Sequence, residues 1–143
     1  MKNPTQENKE LLDQWYKLSF NDFKAAKSLV KDGNLLLAVF HLQQSLEKFF
    51  KMYFILSQKE QPPMIHNLLQ ISIQANIYEQ MDDEKKDLIN TLNPFYIKAR
   101  YPTYKKSLED SLDDVKVQYL IVQTNEVIEW LKLKMKPLGW QQN

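Results

Sequence analysis

The only arginine of the chain, Arg100, begins a short segment with two tyrosines, Arg100-Tyr101-Pro102-Thr103-Tyr104. A guanidinium group suits bidentate phosphate recognition and stacking on aromatic rings. Pro102 disfavours helical geometry at Tyr101 and would help to hold the segment rigid. The alternative is that Arg100 pairs with a carboxylate while the tyrosines fill a corner of the fold, and the residues favour neither interpretation. As a signal for nucleic acid the segment is weak, since a basic face of several residues is normally needed.

Two polar residues, Gln43 and Glu47, lie one helical turn apart within the apolar side of the stretch from Gly33 to Leu56. They could line a cleft, but buried polar groups usually bond a neighbouring element, so we favour a structural role that fixes packing. His66 lies at the start of a short predicted helix. It could cap that helix or titrate in a cleft, although a lone histidine there is more often structural.

The composition of the 143-residue chain excludes several kinds of site. The chain has no cysteine, two histidines and two glycines, which excludes disulfides, thiol catalysis and a glycine-rich phosphate loop. No Glu-x-x-His pair of a di-metal helical bundle occurs, so we expect no metal and no cofactor. The net charge of +1 creates no global field that would attract nucleic acid or a membrane.

The N-terminal sequence MKNPTQENKE is polar and lacks an apolar signal region. No run approaches the roughly 18 apolar residues that span a bilayer. Together with the absence of cysteine, these features predict a soluble, cytoplasmic protein with no membrane partner.

The apolar periodicity predicts an all-α fold, an up-and-down four-helix bundle with an additional short helix. We expect one domain over residues 1–143, with a polar N-terminal segment 1–6 and a loose C-terminal tail 138–143. Long helices are expected over 7–31 and 33–56. A third is expected over 82–96, with a kink or an early end at Pro94. The last long helix is expected to begin at a capping box formed by Ser111 and Asp114 and to continue to Met135. The short helix is expected over 66–76, with loops at 57–63 and 99–106.

The helix from Gly33 to Leu56 is expected to be the centre of the bundle. Its apolar residues form two adjacent rows that together cover roughly half of its circumference. A helix of this kind must pack between partners. Asn34 is the expected N-cap. The two rows consist of Leu35, Val39, Leu42, Leu46, Phe49, Tyr53 and Leu56, and of Leu36, Phe40, Phe50 and Phe54.

Three short motifs follow one another in a recognisable order. They are D-G-N-x-x-x-A-V-F-H-L-Q-Q-S-L-E-K from Asp32 to Lys48, Pro62-Pro63 followed by His66-Asn67-Leu68, and A-R-Y-P-T-Y from Ala99 to Tyr104. From about Trp15 to Leu133 the chain resembles the HEPN family, the "higher eukaryote and prokaryote nucleotide-binding" domain. Asn67 stands where the family more commonly has aspartate.

The resemblance implies a helical bundle that usually forms a homodimer. Many relatives work with a minimal nucleotidyltransferase in two-gene systems, some of them toxin and antitoxin, and a tyrosine near the motif receives a nucleotide in some of these. Tyr104 or Tyr101 could be such an acceptor. Other relatives are ribonucleases that use an arginine and a histidine four to six residues later. Arg100 matches the arginine, but Tyr104 to Ser107 contain no histidine, which disfavours catalysis.

We therefore expect a dimeric binding or regulatory module that engages a nucleotide, RNA or a nucleotidyltransferase. Its candidate ligand-binding residues are Arg100, Tyr101, Tyr104, Lys48 and His66. One alternative is a metal-independent ribonuclease in which Arg100 works with a non-standard partner such as His66 brought in by folding. A second alternative is a structural dimer in which Gln43 and Glu47 only set helix register. The seventeen aromatic residues favour a partner surface of some kind.

Overall fold

The computed structural model describes residues 4–142, so residues 1–3 of the predicted polar segment 1–6, and residue 143, lie outside the described residues. Within that range the fold is helical, and the predicted all-α bundle is confirmed. Six α-helices follow one another: α1 (Pro4–Lys31), α2 (Leu35–Gln58), α3 (Leu68–Gln74), α4 (Asp83–Leu92), α5 (Pro102–Asp110) and α6 (Asp114–Met135). Short 3₁₀ turns occupy Tyr78–Gln80, Asn93–Phe95, Lys98–Arg100 and Lys136–Leu138.

Helix α2 is the centre of the bundle, as its two apolar rows predict. It packs along α1 and against α6 and α3. Leu42, Leu46 and Phe50 are completely buried, and each contributes about 1.5–3 kcal/mol through the apolar area it removes from water. Gly33 has a φ of +78°, which lets the chain reverse tightly between α1 and α2. Asn34 occupies the predicted N-cap position, but its side chain makes no capping hydrogen bond.

Helices α1 and α2 approach each other closely through small residues. The Ser19 hydroxyl donates to the backbone oxygen of Ser45 at 2.8 Å, and the Ser45 hydroxyl donates to the backbone oxygen of Ser19 at 3.0 Å. Both serines are fully buried, as are Ala26 and Ala38. This reciprocal bonding satisfies the two hydroxyls where the helices lie too near each other for larger side chains.

The predicted break over 99–106 is wrong, because α5 begins inside it at Pro102. Tyr101 is extended as expected (φ −108°, ψ 124°), but Pro102 then occupies the first helical turn, where its missing N–H costs nothing. The predicted capping box at Ser111 is also wrong. Asp113 caps α6 instead, its Oδ1 accepting from the backbone N–H of Lys116 at 2.7 Å. Helix α5 is therefore an addition to the five helices that the sequence predicts.

Three other helix ends lie near the predicted positions. Helix α2 continues to Gln58, so the loop expected from residue 57 begins two residues later, where Lys59 turns left-handed at φ +60°. Helix α4 follows an Asp82 cap, and the backbone N–H of Lys85 lowers the pKa of that carboxyl. The same helix ends at Leu92, which confirms the early end expected from Pro94.

The C-terminal tail is packed rather than loose as far as it is described. Trp140 is buried, and its ring centroid lies 5.6 Å from that of Tyr16 on α1. Gln142 donates from Nε2 to the hydroxyl of Tyr16 at 2.6 Å. The sequence around Leu138 is too short to show an apolar periodicity, so it does not predict the contact of Trp140 with Tyr16. The tryptophan nevertheless gains enough buried area to hold the segment against α1.

Candidate functional site: an arginine and a histidine on one tyrosine

Gln43 and Glu47, two of the buried polar residues of α2, both bind His66. Glu47 is 4% exposed, and its two carboxylate oxygens lie 3.1 and 3.0 Å from Nδ1 of the histidine. Gln43 donates from Nε2 to the backbone oxygen of His66 at 2.9 Å. The carboxylate can only accept, so Nδ1 carries the proton and Nε2 is the other nitrogen available to a ligand. The sequence predicts that Gln43 and Glu47 fix the packing of helices, and in the structure their bonds hold a histidine that follows α2 in the chain.

Lys51 completes the charge balance around Glu47. Its ammonium donates to Oε2 of Glu47 at 3.0 Å, and the lysine is itself 5% exposed. The ammonium also lies 5.6 Å from the ring centroid of Trp15 on α1. Because both charges are buried, each depends on the other to offset its lost hydration. Glu47 is thus held in place from one side by α2 itself and from the other by His66.

Two asparagines join the His66 loop to the end of α4. Asn93 accepts from the backbone N–H of Leu68 at 2.9 Å and donates from Nδ2 to Oδ1 of Asn67 at 3.1 Å. Asn67 caps α3 by accepting from the backbone N–H of Gln70 at 3.1 Å, so this residue and not His66 is the cap. The bonding brings the 3₁₀ turn around Asn93 next to the loop before α3.

Tyr96 connects His66 with Arg100. The imidazole and phenol centroids are 4.6 Å apart with 35° between the ring planes. The guanidinium carbon of Arg100 lies 5.6 Å from the centroid of Tyr96 and 6.0 Å from that of Phe40 on α2. Folding therefore brings Arg100 and His66, which are distant in sequence, to the same aromatic ring. The sequence predicts Phe40 only as part of an apolar row of α2 and gives Tyr96 no role at the site, although the spacing of Tyr96 and Arg100, four residues apart, is a usable signal.

Arg100 is exposed and makes its contacts through aromatic rings. No carboxylate among the described residues lies within ion-pairing distance of its guanidinium, so the predicted alternative of a carboxylate partner is not found. Tyr101 and Tyr104 are also exposed and do not fill a corner of the bundle. The ammonium of Lys98 lies 5.6 Å from the Tyr104 ring. The guanidinium is consequently oriented but left free to bind an anion.

A groove of about 340 Å³ opens beside Arg100, between the first turns of α2 and helix α5. We call it the Arg100 groove. Apolar side chains form its α2 wall, and charged side chains lie on the opposite side. Its lining consists of Asn34, Leu36, Leu37, Phe40, Ala99, Arg100, Lys105 and Glu109. Such a mixture suits a flat organic group that carries a negative charge.

Lys48, the remaining candidate ligand-binding residue, lies in a different contact network. Its ammonium is bound to the Asp22 carboxylate on α1, which His41 also contacts through Nδ1 at 2.9 Å. This cluster joins α1 to α2. The structure brings Arg100, His66 and the two neighbouring rings together, but it does not bring Lys48 into contact with them.

The described residues contain neither a metal site nor a membrane-spanning helix. No group of three histidine, aspartate or glutamate side chains in the described residues is arranged to hold a metal ion. No described helix has the length and apolar character needed to cross a membrane. The chemistry within the described site is that of a guanidinium, an imidazole and two aromatic rings.

The order of the motifs and this helical arrangement agree with a comparison against known families. A family model of the HEPN domain matches residues 12–134. The chain belongs to the HEPN family. No curated protein and no solved structure matches it. The match confirms the resemblance drawn from the motifs. The matched range of this HEPN domain includes Arg100, Tyr96 and His66.

Proposed function

We propose that this HEPN domain is a binding module for single-stranded RNA or a nucleotide, with Arg100 as the phosphate-binding residue. The supporting observation is that Arg100, an arginine without a carboxylate partner among the described residues, is held over Tyr96 and Phe40 next to His66. A guanidinium oriented by aromatic rings loses little conformational freedom when it binds a phosphate. The adjoining aromatic and apolar surface provides contacts for a base.

The decisive experiment is Arg100→Ala measured by fluorescence anisotropy with short labelled RNA and with labelled ATP. We expect the Kd to rise about tenfold or more, since a charge-assisted phosphate contact contributes about 1.5–3 kcal/mol. The slope of log Kd against the logarithm of the salt concentration should fall by about one, the value that corresponds to the loss of one phosphate contact. Lys106→Ala is the matched control, because it removes one exposed positive charge from the same segment. Equal, small effects of the two substitutions would contradict the proposal.

Homodimer formation is part of this proposal and is supported by an exposed apolar stripe on α6. Val115, Tyr119 and Val122 follow one another at helical spacing and are 79%, 59% and 54% exposed. Sedimentation equilibrium should give twice the chain mass, and Tyr119→Lys should give a monomer. Met64→Lys, at another exposed apolar residue, is the control and should remain dimeric. A monomeric wild-type protein would rule this out.

A minimal nucleotidyltransferase is the proposed protein partner, in a toxin–antitoxin-like pair in the cytoplasm. Family membership and the exposure of the Tyr101 and Tyr104 rings support this proposal. Co-expression with a small nucleotidyltransferase encoded next to this chain should add the mass of a nucleotidyl group to one of the two tyrosines. If Tyr101→Phe and Tyr104→Phe leave that added mass unchanged, neither tyrosine is the acceptor.

A second candidate function, metal-independent RNA cleavage, is favoured by the bond between Glu47 and His66. A carboxylate that fixes the orientation and tautomer of an imidazole is the arrangement of a general base and the group that orients it. The test incubates labelled RNA with the purified protein in EDTA. Cleavage should disappear in His66→Gln and in Arg100→Ala and persist in His41→Gln. If the wild-type protein cuts no RNA in a broad panel, the catalytic function is excluded and the binding function still stands.

A further inference from the structure

A second groove of about 340 Å³ is lined by Tyr96 and by three asparagines, and we call it the asparagine groove. We propose that it binds one base of a single-stranded RNA, with a preference for adenine, while the attached phosphate binds Arg100. This inference rests on the proposed RNA-binding function and names the base that the site selects. The groove is lined by Asn67, Asn90, Asn93, Pro94, Tyr96, Ile97 and Lys98.

The walls of the asparagine groove suit a flat, partly apolar ring. Pro94, Tyr96 and Ile97 provide an apolar surface, and Ile97 is half exposed to solvent although it follows a buried helix end. Stacking of a base on an aromatic ring contributes about 1–3 kcal/mol, and Tyr96 is the residue of this surface that offers a ring. The groove volume lies near the lower end of the roughly 300–1,000 Å³ typical of small-molecule sites. A single nucleoside fits that size, whereas a folded RNA helix does not.

Only one of the three asparagines in the groove has a free side chain. Asn67 and Asn93 are bonded to each other and to the backbone of α3. Asn90 on α4 is exposed and makes no hydrogen bond with any described residue. Its carboxamide offers one donor and one acceptor side by side. That pair matches the N7 acceptor and N6 donor of adenine, whereas guanine presents two acceptors on the same edge.

Two positively charged side chains lie at or next to the asparagine groove. Lys98 lines the asparagine groove, and Arg100 lies two residues further along the chain against the Tyr96 ring. A strand of RNA that crosses Tyr96 would therefore meet an amide for its base and two positive charges for its backbone. Tyr96 is the ring that both sites share, since it contacts Arg100 and also lines the groove.

The experiment measures Kd by fluorescence anisotropy for labelled oligo(A), oligo(C), oligo(G) and oligo(U) of equal length. We expect the wild-type protein to bind oligo(A) about five- to 150-fold more tightly than oligo(U), the range that corresponds to the roughly 1–3 kcal/mol of a bidentate amide contact. Asn90→Ala should remove that preference. Asn90→Asp should shift it towards oligo(C), because a carboxylate accepts from cytosine N4. Asn125→Ala, at an exposed asparagine on α6, is the matched control and should change nothing.

The possible outcomes separate this inference from the proposed function. If Arg100→Ala weakens binding to all four oligonucleotides while Asn90→Ala and Asn90→Asp leave the order of affinities unchanged, the base assignment is wrong and the RNA-binding function stands. If the wild-type protein binds none of the four, both are wrong. Thermal unfolding of the Asn90 variants should match that of the wild type, because the side chain is exposed and unbonded among the described residues.

Discussion

Two clusters on α2 contain the same three types of side chain and differ in what surrounds them. In one, Asp22 binds Lys48 and His41, and in the other, Glu47 binds Lys51 and His66. We call them the Asp22 cluster and the Glu47 cluster. In each, a carboxylate accepts from a lysine ammonium and contacts Nδ1 of an imidazole. Each histidine also contacts an aromatic ring that lies against Arg100, with centroids 5.6 Å apart for His41 and Phe40 and 4.6 Å apart for His66 and Tyr96. The His66 side chain is the more exposed of the two, at 45% against 27% for His41.

The difference lies in which element supplies the histidine. His41 and Lys48 both belong to α2, and their shared carboxylate belongs to α1, so the Asp22 cluster holds two long helices together. The Glu47 cluster instead holds a histidine from the loop before α3, whose side chain is 45% exposed. A bonded carboxylate, lysine and histidine therefore do not mark a functional site by themselves. The exposed surface next to the imidazole decides whether a ligand can use it.

The largest expected difference between the clusters is in stability. Glu47→Gln leaves Lys51 buried without a counter-charge and should lower the free energy of unfolding by about 3 kcal/mol. Asp22→Asn should cost about 1 kcal/mol, because Asp22 and Lys48 are 16% and 15% exposed, against 5% and 7% for Glu47 and Lys51, so water can partly hydrate the remaining charge. Urea denaturation followed by circular dichroism measures both. Equal losses would show that burial does not distinguish the clusters.

A smaller difference is expected in RNA binding. His66→Gln removes the imidazole next to Tyr96 and should raise the Kd for RNA about fivefold, equivalent to about 1 kcal/mol. His41→Gln is the matched substitution in the Asp22 cluster and should leave the Kd unchanged. Anisotropy titrations of the two variants at one salt concentration give the answer. If His41→Gln weakens binding as much as His66→Gln, the proposed assignment of the two clusters is wrong.

The smallest effect is expected when both buried charges of the Glu47 cluster are removed together. The double variant Glu47→Leu/Lys51→Met replaces the ion pair by apolar side chains of similar size and should unfold within about 1 kcal/mol of the wild type. Its RNA affinity should still fall as in His66→Gln, since nothing then holds Nδ1 of the imidazole. That combination would show that the buried pair places His66 more than it stabilises the bundle. A double variant as unstable as Glu47→Gln would contradict this.

Some features of the site could be predicted from local sequence. Arg100 was singled out as the only arginine, and the extended backbone of Tyr101 follows from Pro102. The buried positions of Gln43 and Glu47 follow from their register in an apolar helix. The helix of residues 102–110 was missed, because a proline that begins a helix looks the same in sequence as one that interrupts it.

The sequence by itself determined the helical fold class, the long helices, the central place of α2 and the family, because these depend on periodicity and on the order of short motifs. Only the tertiary structure decided that His66 and Arg100 share the ring of Tyr96. That contact depends on Asn67 and Asn93, which join the α3 loop to the end of α4. Contacts between segments so distant in sequence are set by how the helices pack, and no local pattern of residue types encodes them.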